Sequence, residues 1–448
     1  MNRSASDVAK VRDIPLDQVV SRVREQVGED RAQLMTDSRY RVGSEESRVV
    51  VFPRTEEELA EVLRLASRES WRVIPAGAGT WLEMGNRPAQ FQMVVSTSRL
   101  NRILEFEPAD LTATVEAGCP LSTFNEKARE QGQWIPLDPF GSAQSTIGAT
   151  IATASYGPLR CGYGTPRDWL IGIRVAQIDG QLTRAGGKVV KNVAGYDLGK
   201  LYTGSFGSLA IITETTFKLR SLAPAEKTLV FYAEQPGTLL DLVARIQDSP
   251  LQPAAMELLS PQPGVQLPIE TGVHSLALRF LHEPEAVDSQ INEVTLLGGG
   301  CRRTVMSEAD ARMFWRQYHE SETDRAWECS LRLTMLPAEL PATLEEMNRI
   351  LPGTIWRAHA ASGILRMHAE EGWLSRWKPK ERARKMVEMR QCMQSRGGQL
   401  LILRAPDDLL DQVDVWGEVG QTAGLMRALK EKYDPQSLLN SGRFVAGI

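Results

Sequence analysis

Between residues 48 and 219 the apolar positions switch repeatedly between a period of two, which reads as strand, and a period of about 3.6, which reads as helix. Arg48–Pro53 is a short β-branched run read as a strand. Thr55 followed by Glu56, Glu57 and Glu58 has the form of a capping box, and Leu59, Val62, Leu63 and Ala66 behind it keep helical spacing. Strand-like runs follow at Trp71–Ile74, Met93–Ser96, Ile103–Phe106 and Ala113–Glu116, before Ser122 opens a helix carrying Phe124 and Ala128. From Trp169 the pattern is strand, Asp179–Gly180 turn, strand, the strongest short-range hairpin signal in the chain, and Leu209–Leu219 reads as a further strand. Beyond residue 223 strands (His274–Phe280, Ser330–Met335, Gly363–His368) alternate with charged helices such as Pro379–Ser395. The last periodic segment, Leu425, Met426, Leu429 and Tyr433, is helical until Asp434–Pro435 stops it.

These elements predict an α+β protein with mixed strands. A chain of 448 residues exceeds what one hydrophobic core usually supports, so two units are expected. The divisions fall at 1–45, a helical extension; 46–221, a first α+β unit; 222–424, a second; and 425–448, a closing segment.

Composition narrows the function classes. With 52 basic against 56 acidic residues and no long basic run, a phosphate-backbone partner is not expected. The opening MNRSASDVAKVRD lacks a signal peptide's apolar core, and no apolar stretch approaches the roughly 18 residues of a membrane helix, so a soluble, cytoplasmic chain is expected. The cysteines at 119, 161, 301, 329 and 392 form no Cys-x-x-Cys pair, so they read as small hydrophobes instead of a disulfide, zinc or iron–sulfur framework.

Three stretches carry chemistry. Pro75-Ala76-Gly77-Ala78-Gly79-Thr80 follows a strand, and its small residues let backbone N–H groups approach a pyrophosphate, although alone it is also what a tight turn looks like. A Rossmann reading fits worse, because the third glycine and the apolar helix are missing. Residues 142–152 are a run of small side chains suited to a helix N-terminus against a flat ligand, or to a close helix–strand contact. Residues 186–214 hold six glycines, more than core packing alone explains.

The run GGKVVKNVAGYDLGKLYTGSFGSLAIITE resembles the flavin-cradling signature of the FAD-linked oxidases of the vanillyl-alcohol-oxidase type, with a PCMH-type FAD-binding domain. It is most similar to the FAD-binding subunits of bacterial glycolate oxidase. PAGAGT, VEAGCPL and TIGATIATASYGPLRCGYG fall in that family's order, and LKEKYDPQSLLNSGRF looks like its closing segment. The resemblance implies a two-subdomain FAD-binding domain over 46–221, an inserted cap domain, and a tail returning to the FAD domain. It implies that Pro75, Ala76, Gly77, Ala78, Gly79 and Thr80, with Thr146, Ile147, Gly148 and Ala152, clasp the pyrophosphate end of FAD. Gly162, Tyr163, Gly164, Asn192, Tyr196, Asp197, Ile211 and Ile212 would lie along the ribityl chain and ring, and Asn440 would close the site. Tyr196 and Asp197 also read as simple helix anchors.

Departures from the family refine this. Members that tether FAD covalently use a histidine in or near the first loop; here Ala78 occupies the loop and no histidine precedes His274, so non-covalent FAD is implied. Related 2-hydroxy-acid dehydrogenases carry His-x-Gly-Asp-Gly-Asn-x-His, which binds a metal or the substrate carboxylate. The candidate here, His359 to Arg366, keeps the first histidine and one glycine, and one imidazole beside an arginine makes no transition-metal site. His359 and Arg366 stand as catalytic candidates, base and carboxylate partner, against a reading of Arg366 as a solvated charge on a strand edge. The His-Trp-x-Lys ending of sugar-lactone oxidases is absent. The resemblance thus implies oxidation of glycolate or D-lactate, with a larger flavoprotein and an iron–sulfur subunit as partners. An accessory FAD-binding subunit and a scaffold without turnover remain alternatives.

Overall fold

The computed structural model describes residues 14–43, 48–88, 90–141, 143–188, 196–262, 266–323 and 327–448. Two sheets build the first half. Strand Arg48–Val51, buried on every residue, runs into helix Glu56–Glu69, which crosses back to strand Val73–Ala76; strand Met93–Ser96 lies parallel between them. Thr55 caps the helix by accepting from Glu58 N at 3.2 Å, while the Glu58 carboxylate reaches Arg54 N and Arg31 instead of closing the box on Thr55. The second sheet is antiparallel, in the order Ile103–Glu107, Thr112–Glu116, Ile211–Lys218, Leu170–Ala176, Leu182–Gly186. The Asp179–Gly180 hairpin joins its last two strands; Gly180 takes φ +79° and Asp179 Oδ1 accepts from Gln181 N.

The N-terminal segment is no appended helix. Helix Leu16–Val27 buries Val19, Val20 and Val23 in the core of the first sheet, and Ala32–Met35 is that sheet's antiparallel edge strand. The far end of the chain also joins this sheet. Leu439 makes a parallel bridge with Val73, held by Val73 N to Leu438 O and Asn440 N to Val73 O, both 2.8 Å. Behind the bridge Lys430, fully inside, donates to Ser208 O, Leu439 O and the Asp434 carboxylate, so burial of the ammonium is offset by a paired charge and two carbonyls. Leu425, placed on the helix by its spacing, is instead 67% exposed, because helix Ala423–Tyr433 packs through its C-terminal end.

The other half is one eight-stranded antiparallel sheet in the order Arg302–Val305, Ala225–Ala233, His274–His282, Ala255–Leu259, Ile355–His359, Ile364–Ala369, Cys329–Thr334, Gln399–Arg404. One face is covered by helices Pro236–Gln247, Pro284–Gly298, Leu340–Ile350 and Pro379–Ser395 over a large apolar core. The opposite face is mixed: an aromatic cluster of Phe314, Trp315 and Tyr318 from helix Glu308–Thr323 at one end, and buried charges at the other. Cys119 and Cys329 are buried, and burial pushes their thiols up to about 11 and about 12, so both stay neutral. No helix among the described residues is long and apolar enough to cross a membrane.

Candidate functional site

A cleft lies between the two sheets of the first half and the tail. Its walls are the loop from Pro75 to Leu82, the face of helix Ile147–Thr153 carrying Gly148, Ala149, Ala152 and Thr153, the turn and strand from Phe206 to Ile212, and Asn440 with Arg443. Among the residues singled out in the sequence, Pro75, Ala76, Gly77, Gly79, Thr80, Gly148, Ala152, Ile211, Ile212 and Asn440 line it. Asn440, at φ +50°, is fixed at both ends: Nδ2 donates to Phe206 O at 2.6 Å and Oδ1 accepts from Arg443 at 3.1 Å.

The glycines serve the cradle differently from the sequence-based expectation. A Cβ on Gly77 would stand 2.1 Å from Thr146 Oγ1, and Gly79, at φ +91°, would put one 2.1 Å from Arg39 O. Their small size lets loop, helix and N-terminal segment close on one another. Thr146 and Ile147 are buried behind the cleft wall. The first amides of the helix are already used: Ile147 N donates to Cys119 O, Gly148 N to Ala117 O and Ala149 N to Thr146 Oγ1. This short helix therefore offers the cleft a flat surface of small side chains, and not the free N–H groups expected of it.

Other singled-out residues lie elsewhere. Gly162 and Tyr163 line a separate recess, where Gly162 N donates to Ala254 O of the second half and Tyr163 packs edge-on against Trp134, and Gly164 ends the short helix Arg160–Tyr163 at φ +80°. Asp197 caps helix Leu198–Tyr202 while pairing with Arg167, which is the helix-anchor reading for that residue, whereas Tyr196 is 94% exposed and anchors nothing among the described residues. Ala78 is absent from the lining, and Asn192 lies outside the described residues.

A second cavity shares Thr80 and Trp81 with the cleft and is closed by the polar face of the eight-stranded sheet through Ser330, Arg366 and His368, with Phe140 and Glu322. Register explains the convergence: Arg332, Arg366 and Arg357 stand opposite one another on three adjacent strands. Arg366 is 4% exposed inside the sheet, so the solvated-edge reading is overturned. Its guanidinium lies 4.0 Å from the Phe140 ring and donates to Glu322 at 3.1 Å. Glu322 also faces Arg357 at 3.3 Å and His368 Nε2 at 3.2 Å. Burial alone would raise the Glu322 carboxyl, but His368, Arg366 and Arg357 overcome it and hold it well below the carboxylate range. Burial lowers the His368 imidazole against the pull of Glu322, so it is neutral at neutral pH, with Nδ1 3.0 Å from Ser330 Oγ.

His359 is engaged away from this cavity. Its Nδ1 is 2.6 Å from Glu257 Oε1, whose other oxygen accepts from Tyr318 at 2.5 Å, and its ring stacks on Phe140. Burial depresses the Arg332 guanidinium, which has Arg366 and Arg160 as like-charged neighbours. Ser330, Arg332, Glu322, His368 and Arg443 were not singled out by number for a site role in the sequence. The doubled Arg-x-His spacing of Arg357/His359 and Arg366/His368 was the available signal, since a period of two puts such residues on one strand face. No group of three or more His, Cys, Asp or Glu among the described residues is arranged to hold a metal.

Comparisons with known proteins agree with this architecture. Residues 47–186 match the family model described as FAD binding domain. The chain is 35% identical over 210 residues to glycolate oxidase subunit GlcD of Bacillus subtilis, covering 47% of this chain and 45% of that one. It is 27% identical over 422 residues to D-2-hydroxyglutarate dehydrogenase of Xanthomonas citri, covering 88% of each. The solved structure of p-cresol methylhydroxylase with substrate bound superposes with a TM-score of 0.73 at 16% identity over 95% of this chain and 96% of that one, a likeness of fold.

Fold and matches together show an FAD binding domain over residues 47–186 within a PCMH-type fold. The cleft fits that cofactor: its walls are flat and mostly apolar, and Arg443, a buried guanidinium whose Nε lacks a partner, opens on it. Among the described residues, its lining holds no histidine, cysteine or tyrosine to which a flavin could be tethered. Acid precipitation of the yellow holoprotein is therefore expected to leave the pellet colourless and the flavin in the supernatant; a yellow pellet would overturn non-covalent binding.

Proposed function

We propose that this chain oxidises a small 2-hydroxy acid, glycolate or D-lactate, to the 2-oxo acid, as the FAD-binding subunit of a glycolate oxidase-like complex. The observation that carries this reading is the second cavity, where arginines and a neutral histidine meet the flavin cleft across Thr80 and Trp81. FAD, held between the Pro75–Thr80 loop, the Gly148–Ala152 wall, Ile211, Ile212 and Asn440, supplies the hydride acceptor. Arg366, with Arg332 beside it in register, holds the substrate carboxylate. His368 takes the hydroxyl proton at Nδ1 through Ser330 Oγ, while Glu322 orients the imidazole from its other side. Phe140 and Trp81 exclude water. Partial likeness to a glycolate oxidase subunit and the lack of cysteine pairs in the sequence favour a larger flavoprotein and an iron–sulfur subunit as electron-carrying partners.

An accessory role is the second reading, favoured by the commitment of Arg366 and Arg357 to Glu322, which cancels part of the positive charge a substrate anion would meet. Anaerobic addition of glycolate or D-lactate to the purified holoprotein separates the two. Bleaching of the flavin band is expected, with Arg366→Met raising the substrate concentration required at least about tenfold, the worth of one lost charge-assisted bond. A holoprotein that stays yellow alone and with its partner subunits, at saturating substrate, would leave only the accessory role.

A further inference from the structure

Several buried cations in this protein are matched with acids: Lys430 with Asp434, Arg357 and Arg366 with Glu322. Arg443, 2% exposed, differs. Nη1 donates to Asn440 Oδ1 at 3.1 Å and Nη2 to Leu82 O at 2.5 Å and Met84 O at 2.7 Å, all neutral acceptors, while Nε is buried without any partner. No carboxylate pairs with it among the described residues. Burial depresses the guanidinium to about 10, which still leaves it charged at neutral pH. An ion desolvated this fully and left unpaired is strongly unfavourable unless a ligand brings negative charge to it.

Arg443 also occupies a particular end of the cleft. It lines the cleft beside Leu82 and Phe206, on the side where Thr80 and Trp81 open into the second cavity, and the carbonyls it binds belong to that same loop. A redox ring that meets a substrate on the sheet's polar face has to lie at this end, a placement that rests on the function proposed above. Hydride transfer gives the ring two electrons and one proton, so the ring gains one negative charge unless a second proton follows. We infer that Arg443 is the fixed positive charge that stabilises this added negative charge on the reduced flavin, a positioning and potential-setting residue contributed by the C-terminal tail.

The test uses the holoprotein with Arg443→Gln and Arg443→Lys, and reads the two-electron midpoint potential, the affinity for sulfite, which adds to the ring with a negative charge, and the affinity for FAD. Arg443→Gln is expected to weaken sulfite binding about tenfold and lower the potential by the corresponding ~30 mV, with Arg443→Lys close to wild type. Unchanged potential and sulfite affinity in Arg443→Gln would overturn the inference, as would a loss confined to FAD affinity, which would assign Arg443 to the cofactor's diphosphate. Should the variant not fold, the wild type decides. With a fixed cation its potential follows the one-proton slope of ~30 mV per pH unit down to about pH 5.5, and a two-proton slope of ~59 mV there would overturn the inference. None of these readouts needs substrate, so a holoprotein that no hydroxy acid bleaches leaves this result standing, and the reverse holds.

Discussion

Gly77→Val is expected to yield a folded chain that retains less than roughly a tenth of its FAD. The added Cβ would fall 2.1 Å from Thr146 Oγ1 and 3.2 Å from Ala149 Cβ, so the loop and the small-residue helix are forced apart at the point where both face the cleft. Overpacking of this kind costs about 1–3 kcal/mol, and at about 1.4 kcal/mol per tenfold it converts to a loss of FAD affinity of roughly five- to 140-fold. The strain falls on the cradle itself, because Thr146 is held in place as the cap of its helix. Gly237, where an added Cβ would have nothing within 4 Å, provides the control as Gly237→Ala. Flavin released per chain on denaturation gives the measurement, and full flavin content in Gly77→Val would show that the loop is only a turn.

The second large effect belongs to Glu322. Its side chain is 2% exposed and faces Arg357, Arg366 and His368 within 3.3 Å, so Glu322→Gln leaves two guanidinium groups buried without an anion. Removing one partner of a buried ion pair costs about 3–5 kcal/mol, and urea unfolding at pH 7 should show a loss of that size. The pH dependence has a definite sign. Because the folded carboxyl is held below the carboxylate range, its contribution is fully present above the unfolded value of about 4.3 and is lost as pH falls toward the folded one. Wild type and variant should therefore differ by a constant amount above about pH 5 and converge progressively in stronger acid. A Glu322→Gln protein within about 1 kcal/mol of wild type at pH 7 would remove Glu322 from the centre of this network.

How these features relate to the sequence follows from how far apart their parts are. Strand Met93–Ser96, helix Pro379–Ser395 and the Asp179–Gly180 hairpin coincide with their expected bounds because each is encoded within one contiguous stretch. A capping threonine, a run of alternating apolar residues or an Asp-Gly turn acts on its own neighbours. The Pro75–Thr80 loop is legible for the same reason, and ten of the residues singled out through its resemblance to a flavin cradle line one cleft. The reason for its glycines is not legible there, because Thr146 and Arg39, which crowd them, are distant in the chain.

The polar face of the second half shows the other limit. Arg366 and Glu322 are separated by 44 residues, and they meet because helix Glu308–Thr323 crosses the face on which the strand register aligns Arg332, Arg366 and Arg357. In isolation Arg366 is a charge on a strand, which ordinarily seeks water. The sequence by itself determined the local elements, the α+β class and the family of the cofactor site, since propensity, capping and turn chemistry are short-range. Only the tertiary structure decided which charges are buried, which partner neutralises each and that Arg443 has none, since burial and charge pairing exist only once distant segments exclude water together.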